Sequence, residues 1–150
     1  MAIKIVELAA YSAEMFEIEQ SCHITPWSAA TLENCFRDDY LVFAACGATD
    51  ELLGYAIIQV IADEFNLMNI AVRPNYQGQG IGAQLLTRLV HEATAAKAQI
   101  WLEVRVSNIR AIRLYERFGF NIVGKRPHYY RCVEGYEDAL VMGWHGMHAT

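Results

Sequence analysis

Apolar and polar positions along this chain follow two different periods. Alternating or continuous apolar runs at 3–8, 40–46, 52–61, 65–72, 99–104, 120–130 and 138–144 read as strands. Between them the spacing turns helical. Met15, Phe16, Ile18 and Cys22 share one inward face behind Ser12, a candidate N-cap. Pro26-Trp27 breaks the chain, and Ser28 can cap a second helix carrying Leu32, Cys35 and Phe36. Ile81, Leu85, Leu86, Leu89, Val90 and Ala93 stripe a long helix, and Ala111, Leu114, Tyr115 and Phe118 a short one over 108–118. Gly119 ends that short helix as a left-handed cap, and the final hairpin turns around Glu134-Gly135. The order β-α-α-β-β-β-α-β-α-β-β predicts an α/β (α+β) fold: a mixed, twisted sheet of about seven strands with helices on both faces.

Between the strand ending Asn69-Ile70-Ala71-Val72 and the long helix lies Gln77-Gly78-Gln79-Gly80-Ile81-Gly82. Alternating glycines let backbone N–H groups approach a ligand, and a helix N-terminus adds partial positive charge. Together they predict an anion site for a phosphate or pyrophosphate. The spacing G-x-G-x-G is neither a dinucleotide-binding turn nor a P-loop, which needs Lys and Ser or Thr where Ala83 and Gln84 stand. It resembles the acetyl-CoA motif of the GCN5-related N-acetyltransferases, Q/R-x-x-G-x-G/A. Gln77, Gly80 and Gly82 fill its fixed positions, and Arg73-Pro74-Asn75-Tyr76 is similar to that family's lead-in.

A chain of 150 residues, 54% of them hydrophobic, forms one domain with a substantial core and is not disordered. We expect residues 1–150 to be a single domain, with a loose tail over 145–150. No apolar run reaches membrane-span length and Met1-Ala2-Ile3-Lys4 does not begin a signal peptide, so the expectation is a cytoplasmic protein with no membrane partner. Cys22, Cys35, Cys46 and Cys132 form no C-x-x-C pair and read as reduced, mostly buried thiols. Cys22-His23 suggests a nucleophile or metal ligands, but neighbours on a helix point about 100° apart and no second ligand pair accompanies them. No metal is expected. A net charge of −5 argues against direct nucleic-acid binding and is compatible with a basic peptide substrate.

Acetyl transfer to an amine requires deprotonation of the amine, polarisation of the thioester carbonyl, stabilisation of the oxyanion and protonation of the departing thiolate. Two residues can handle the protons. Glu103 stands in Ile100-Trp101-Leu102-Glu103-Val104, a strand expected beside the glycine-loop strand, under helices on both faces, and hence apolar. A carboxylate there is costly unless paired or used: it is a base, or it is salt-bridged to Arg105 or Arg113 at the sheet's end. Tyr115 is either a packing residue with its hydroxyl at the rim or a proton donor to a thiolate. Asn108 caps the short helix and can also bond an amide-rich cofactor arm. Trp27 and His128-Tyr129-Tyr130 either wall a narrow peptide slot or pack a hairpin core. His91, opposite the long helix's apolar stripe, reads as a surface histidine.

Further segments extend the resemblance over nearly the whole chain. They are Pro26-Trp27-Ser28, Trp101-Leu102-Glu103-Val104-Arg105, Ser107-Asn108, Ala111-Ile112, Leu114-Tyr115-Glu116, Phe118-Gly119-Phe120 and Tyr129-Tyr130. They are similar to the ribosomal-protein-alanine branch of the family. The resemblance implies Glu103 as general base and Tyr115 as general acid. It implies acetyl-CoA held by Ile70, Ala71 and Val72, by Gln77, Gly78, Gln79, Gly80, Ile81, Gly82 and Ala83, and by Asn108. Trp27, Tyr129 and Tyr130 border the peptide, and the implied substrate is the N-terminal alanine of the eighteenth small-subunit ribosomal protein. The chain departs from the branch at His128, where asparagine is frequent, and at Arg131-Cys132, where proline commonly follows the tyrosine pair. The alternatives are an acetyltransferase for another amine (a lysine, a small metabolite, a charged tRNA) and a non-catalytic acetyl-CoA-binding module. Oligomeric state is not legible.

Overall fold

The computed structural model describes residues 2–132 and 135–146, so Glu134 of the expected hairpin turn and the tail beyond Gly146 lie outside the described residues. The elements run β1 (Lys4–Glu7), α1 (Ala13–Cys22), α2 (Ala29–Glu33), β2 (Tyr40–Cys46), β3 (Leu52–Ile61), β4 (Glu64–Val72), α3 (Ile81–Ala96), β5 (Gln99–Arg105), α4 (Ile109–Arg117), β6 (Asn121–Cys132) and β7 (Gly135–Trp144). A single 3₁₀ turn, Pro74–Tyr76, links β4 to the glycine loop. The strands form one sheet in the order β1-β2-β3-β4-β5-β7-β6. Every pairing is antiparallel except β4 with β5.

Two cores sandwich the sheet. Phe43, Leu53 and Ile58 point to one face, where Leu85, Leu86 and Leu89 of α3 and Ile112 and Tyr115 of α4 cover them. Val42, Ala44, Tyr55 and Ile57 point to the other, against Met15 and Ile18 of α1 and Leu32 of α2. The strands at the middle of the sheet are therefore buried on both faces, which is why 40–46 and 52–58 read as continuous apolar runs. Ser28 caps α2 by accepting from the Thr31 N–H at 3.1 Å. Ser12 occupies the N-cap position of α1, but its side chain makes no capping bond. Phe16 and Cys22, expected inward, are only half-buried, since α1 packs through Met15, Ile18 and Glu19.

β5 corrects one expectation. Its burial alternates strictly: Ile100, Leu102 and Val104 face α3 and α4, while Trp101, Glu103 and Arg105 are half-exposed. The cause is that α1 and α2 cover the β2–β4 half of the sheet and leave that face of β5 open.

β4 and β5 pair only from Glu64↔Gln99 to Leu67↔Leu102. Immediately beyond, the β3–β4 register skips a residue, from Ile58↔Leu67 to Ile57↔Asn69, leaving Met68 as a bulge. An extra residue on one strand bends it and raises its twist. The second half of β4 therefore leaves β5 while remaining paired to β3 as far as Val72, and the sheet opens. Gly54 lies opposite this segment, where a Cβ would stand 2.7 Å from the Ala71 carbonyl oxygen. Gly54→Ala should therefore lower unfolding free energy by about 1–3 kcal/mol, read in a denaturant titration, because backbone rather than a flexible side chain must give way.

Candidate active site

The opening between β4 and β5 is lined by two adjoining cavities of about 400 and 420 Å³. Both touch Trp27, Glu103, Tyr129 and Tyr130. The first runs on to Ile70, Asn108 and Tyr115, and the second to Glu64, Trp101 and Arg126. Proton-handling and slot candidates that are distant in sequence thus converge on one cleft. The glycine loop lies beyond the cavity walls, at the end of β4.

Strand alternation sets what β4 offers the cleft. The Arg73 N–H donates to the Leu53 carbonyl on β3 at 2.8 Å. Successive amides alternate in direction, so Ala71 also turns toward β3, while Ile70 and Val72 present theirs to the opening. The Val72 carbonyl, on that same side, accepts from Gln77 Nε2 at 2.9 Å and from the Cys22 thiol at 3.1 Å. Gln77 therefore ties the loop back to the strand. Gly78 and Gly80 adopt φ of +82° and +84°, the left-handed region where a side chain is strained. Among the described residues, none of the N–H groups from Gly78 to Ala83 donates a hydrogen bond within the protein. This row of free amides at the start of α3 has the chemistry to hold an anion. Arg110 adds a cation: its Nη2 stands 2.9 Å from where a Cβ on Gly78 would sit.

Glu103 projects from the open face of β5 with 28% of its side chain exposed. Its ion-pair partner is neither Arg105 nor Arg113 but Arg126, whose Nε lies 3.0 Å from Oε2. That oxygen is buried yet accepts no well-directed hydrogen bond. Arg105 instead pairs with Glu137 at 3.2 Å and lies over the Tyr130 ring. The Tyr130 hydroxyl donates to the Glu103 main-chain carbonyl at 2.9 Å, fixing the strand beneath the carboxylate. Tyr129 and Tyr130 meet edge to face, and Arg126 lies over Tyr129. Their presentation depends on a second irregularity. Between Arg126↔Ala139 and Tyr130↔Glu137, three residues of β6 oppose Asp138 alone. His128 takes φ +54° there and its N–H donates to Asp138 Oδ1 at 3.0 Å. Left-handed backbone favours asparagine over most side chains, which gives His128 a physical context.

Asn108 caps α4 by accepting from the Ala111 N–H at 3.3 Å. Tyr115 is not a rim residue: it is buried beside Phe120 and still reaches the first cavity. Burial, helped by neighbouring Tyr130, raises its hydroxyl pKa above the ordinary tyrosine range.

Glu19, absent from the candidates above, is fully buried against the first cavity. Glu19 accepts from the Tyr55 hydroxyl at 2.5 Å, from Asn69 Nδ2 at 2.7 Å and from the Trp27 N–H at 2.9 Å. It thereby ties α1, β3, β4 and the loop before α2 together. A signal existed: Glu19 is four residues from Met15 on the inward face of α1, where a charge needs partners. Arg126 had no comparable signal, because its partner comes from a strand that it reaches only across β7.

A seven-stranded sheet opened between strands four and five, with a glycine-rich row of free amides at the opening, defines an acetyltransferase of the GNAT type. The chain belongs to that family: the model of the acetyltransferase (GNAT) family matches residues 12–120. It is 44% identical over 128 residues to ribosomal protein bS18-alanine N-acetyltransferase of Escherichia coli strain K12, covering 85% of this chain and 86% of that one. The Haemophilus influenzae enzyme of the same name is 43% identical over 130 residues, covering 85% and 88%. The crystal structure of the Escherichia coli ribosomal-protein-S18-alanine N-acetyltransferase superposes with a TM-score of 0.89 at 39% identity, over 95% of this chain and 93% of that one. Arabidopsis thaliana NAA60 shares the fold, with a TM-score of 0.80 at 18% identity.

Tyr55, Tyr115 and Tyr130 share one electrostatic property. Burial raises the pKa of all three hydroxyls, that of Tyr130 to about 12. A raised folded-state pKa contributes stability that is complete below the unfolded value, about 10, and is lost as pH rises through the folded one. Stability measured by denaturant should therefore be insensitive to these groups at neutral pH and fall steadily above about pH 10. Tyr130→Phe should make that alkaline fall shallower.

Proposed function

We propose that this enzyme transfers an acetyl group from acetyl-CoA to the N-terminal α-amine of a protein beginning with alanine, ribosomal protein bS18 being the favoured substrate. The observation that carries this is the convergence of Glu103, Tyr115 and an aromatic slot in one cleft beside an anion cradle. Identity with the bS18-alanine enzymes supports the substrate, and that substrate implies work on ribosomal protein in the cytoplasm.

The residues present fit acetyl-CoA. The free amides from Gly78 to Ala83, with Arg110 nearby, suit a diphosphate. Ile70, Ala71 and Val72 suit the amide-bearing arm, for which β4 offers the outward main-chain groups of Ile70 and Val72, with Asn108 across the cavity. When bound, acetyl-CoA supplies the acetyl group as a thioester. The Ile70 N–H is aimed to stabilise negative charge growing on the carbonyl oxygen. Glu103, directly or through water, takes a proton from the substrate nitrogen, and Tyr115 gives its hydroxyl proton to the departing sulfur. Trp27, Tyr129 and Tyr130 wall the path of the first peptide residues, and the second cavity, with Glu64 and Trp101, leads the chain outward.

Glu103→Gln should cut kcat by about 10²- to 10⁴-fold with acetyl-CoA affinity nearly unchanged, and Tyr115→Phe should slow the chemical step with a free thiol as product. Single-turnover kinetics and calorimetry check both, and normal single-turnover chemistry in Glu103→Gln would refute the base. Gly80→Val should do the reverse, weakening acetyl-CoA binding through its φ of +84° while sparing peptide affinity. Substrate class is tested by coenzyme A release with two peptides. One carries the free N-terminal alanine, and the other has that amine blocked and an internal lysine. Release with the second alone would overturn the Nα assignment.

A further inference from the structure

Proton accounting asks for more than Glu103 and Tyr115. A peptide α-amine, with an ordinary pKa of about 8, arrives at neutral pH mainly as an ammonium. It must lose one proton before attack and a second as the amide forms. The second, taken by Glu103, balances the one Tyr115 gives to sulfur, and Tyr115 regains its proton through water in the cavity that both residues line before the next turnover. The first must reach solvent by another group. This reasoning rests on the function proposed above.

We propose that His23 accepts that first proton, and that Glu19 positions it to do so. His23 follows α1 directly, lines the first cavity beside Trp27, and leaves 34% of its side chain exposed. Its Nε2 lies 3.0 Å from Asn69 Oδ1. The direction of that bond follows from chemistry. Glu19 as a carboxylate only accepts, so the Asn69 atom facing it is the NH₂ group, and Oδ1 must face His23. An amide oxygen only accepts, so Nε2 carries the hydrogen. Nδ1 is left with its lone pair and no partner among the described residues.

The resulting unit is a basic nitrogen whose tautomer is set through Asn69 by a buried carboxylate. When the ammonium N–H bond breaks, its electron pair stays on the substrate nitrogen and the proton bonds to Nδ1. The imidazolium so formed has its Nε2 3.6 Å from Glu19 Oε1, directly after the last residue of α1. The exposed ring then returns the proton to water. Titratable or charged groups facing His23 are Glu19 on its own helix and, around the cavity, Glu103, Arg105, Tyr115, Tyr129 and Tyr130. Imidazole suits a proton relay at neutral pH, and here the relay opens to solvent where Tyr115 does not.

The test compares wild type, His23→Gln and Glu103→Gln, measuring kcat/KM for the N-terminal alanine peptide from about pH 6.5 to about pH 9. His23→Gln keeps a donor toward Asn69 but cannot take a proton. We expect it to lose about tenfold near pH 6.5 and to recover to within about twofold of wild type near pH 9, where the amine arrives neutral. Glu103→Gln should stay slow throughout. Nitrogen chemical shifts of His23 in wild type should report the Nε2–H tautomer, and Glu19→Gln should shift them. A His23→Gln loss equal at every pH marks a merely structural role and overturns the proposal, as does no loss near pH 6.5 or an Nδ1–H tautomer. A wild type inactive toward the peptide overturns the proposed function as well, whereas a normal Glu103→Gln profile overturns only that base.

Discussion

The parting of β4 from β5 after Leu67↔Leu102 is the constraint on which the site depends. A continuous parallel pairing would satisfy the outward amides of Ile70 and Val72 and close the space that Glu103 and Tyr115 share. The bulge at Met68 prevents it at the cost of only one unpaired residue, because β3 holds the second half of β4 in register. Opening a sheet exposes main-chain groups that must find partners elsewhere. Here Val72 finds Gln77 and Cys22, and the free amides that remain lie where an anionic, amide-rich molecule can take them.

An opened sheet needs something to hold each of its walls in place, and on the β4 side Glu19 meets that need. Its three partners come from β3, β4 and the loop that carries Trp27. A buried carboxylate without donors would cost several kcal/mol, so all three partners are held to their geometry by the penalty for leaving it. Hydrophobic contacts alone would tolerate sliding. A charge-assisted network does not, because its bonds lose strength steeply with distance and angle. The opposite wall uses the same device differently, with Arg126 and Arg105 lying over Tyr129 and Tyr130 while engaging Glu103 and Glu137.

What the sequence disclosed follows from this division. The strands at 40–46 and 52–61 were legible to the residue and the stripe of α3 in all but half-buried Val90, because burial on the sheet's central strands and on one helix face dictates residue type. Gly78 and Gly80 were legible because only glycine adopts their φ without strain. Glu103 and Tyr115 were legible as candidates, but their surroundings were not. Which face of β5 lies open depends on how far α1 and α2 reach across the sheet, and no local pattern encodes that distance. The Glu19–Asn69–His23 chain was opaque for a similar reason. It joins residues about fifty positions apart, and each alone reads as an ordinary polar position.

The two walls also differ in how they treat protons. Burial makes Tyr115 a weaker acid than a free phenol, which at first counts against it as a donor. The same desolvation acts on a thiolate released into that corner, whose ordinary pKa is about 8.5, and raises its affinity for a proton in turn. Transfer is decided by the difference between the two, not by either value in water. A donor that releases its proton only to a fresh, poorly solvated anion stays protonated and neutral through every earlier step. The bases proposed here, by contrast, must unload after each turnover, and half-exposed Glu103 and His23 stand where water can reach them. In the proposed mechanism, a dry acid and wet bases around one cleft give the protons a direction, from the substrate nitrogen toward solvent and from Tyr115 toward sulfur.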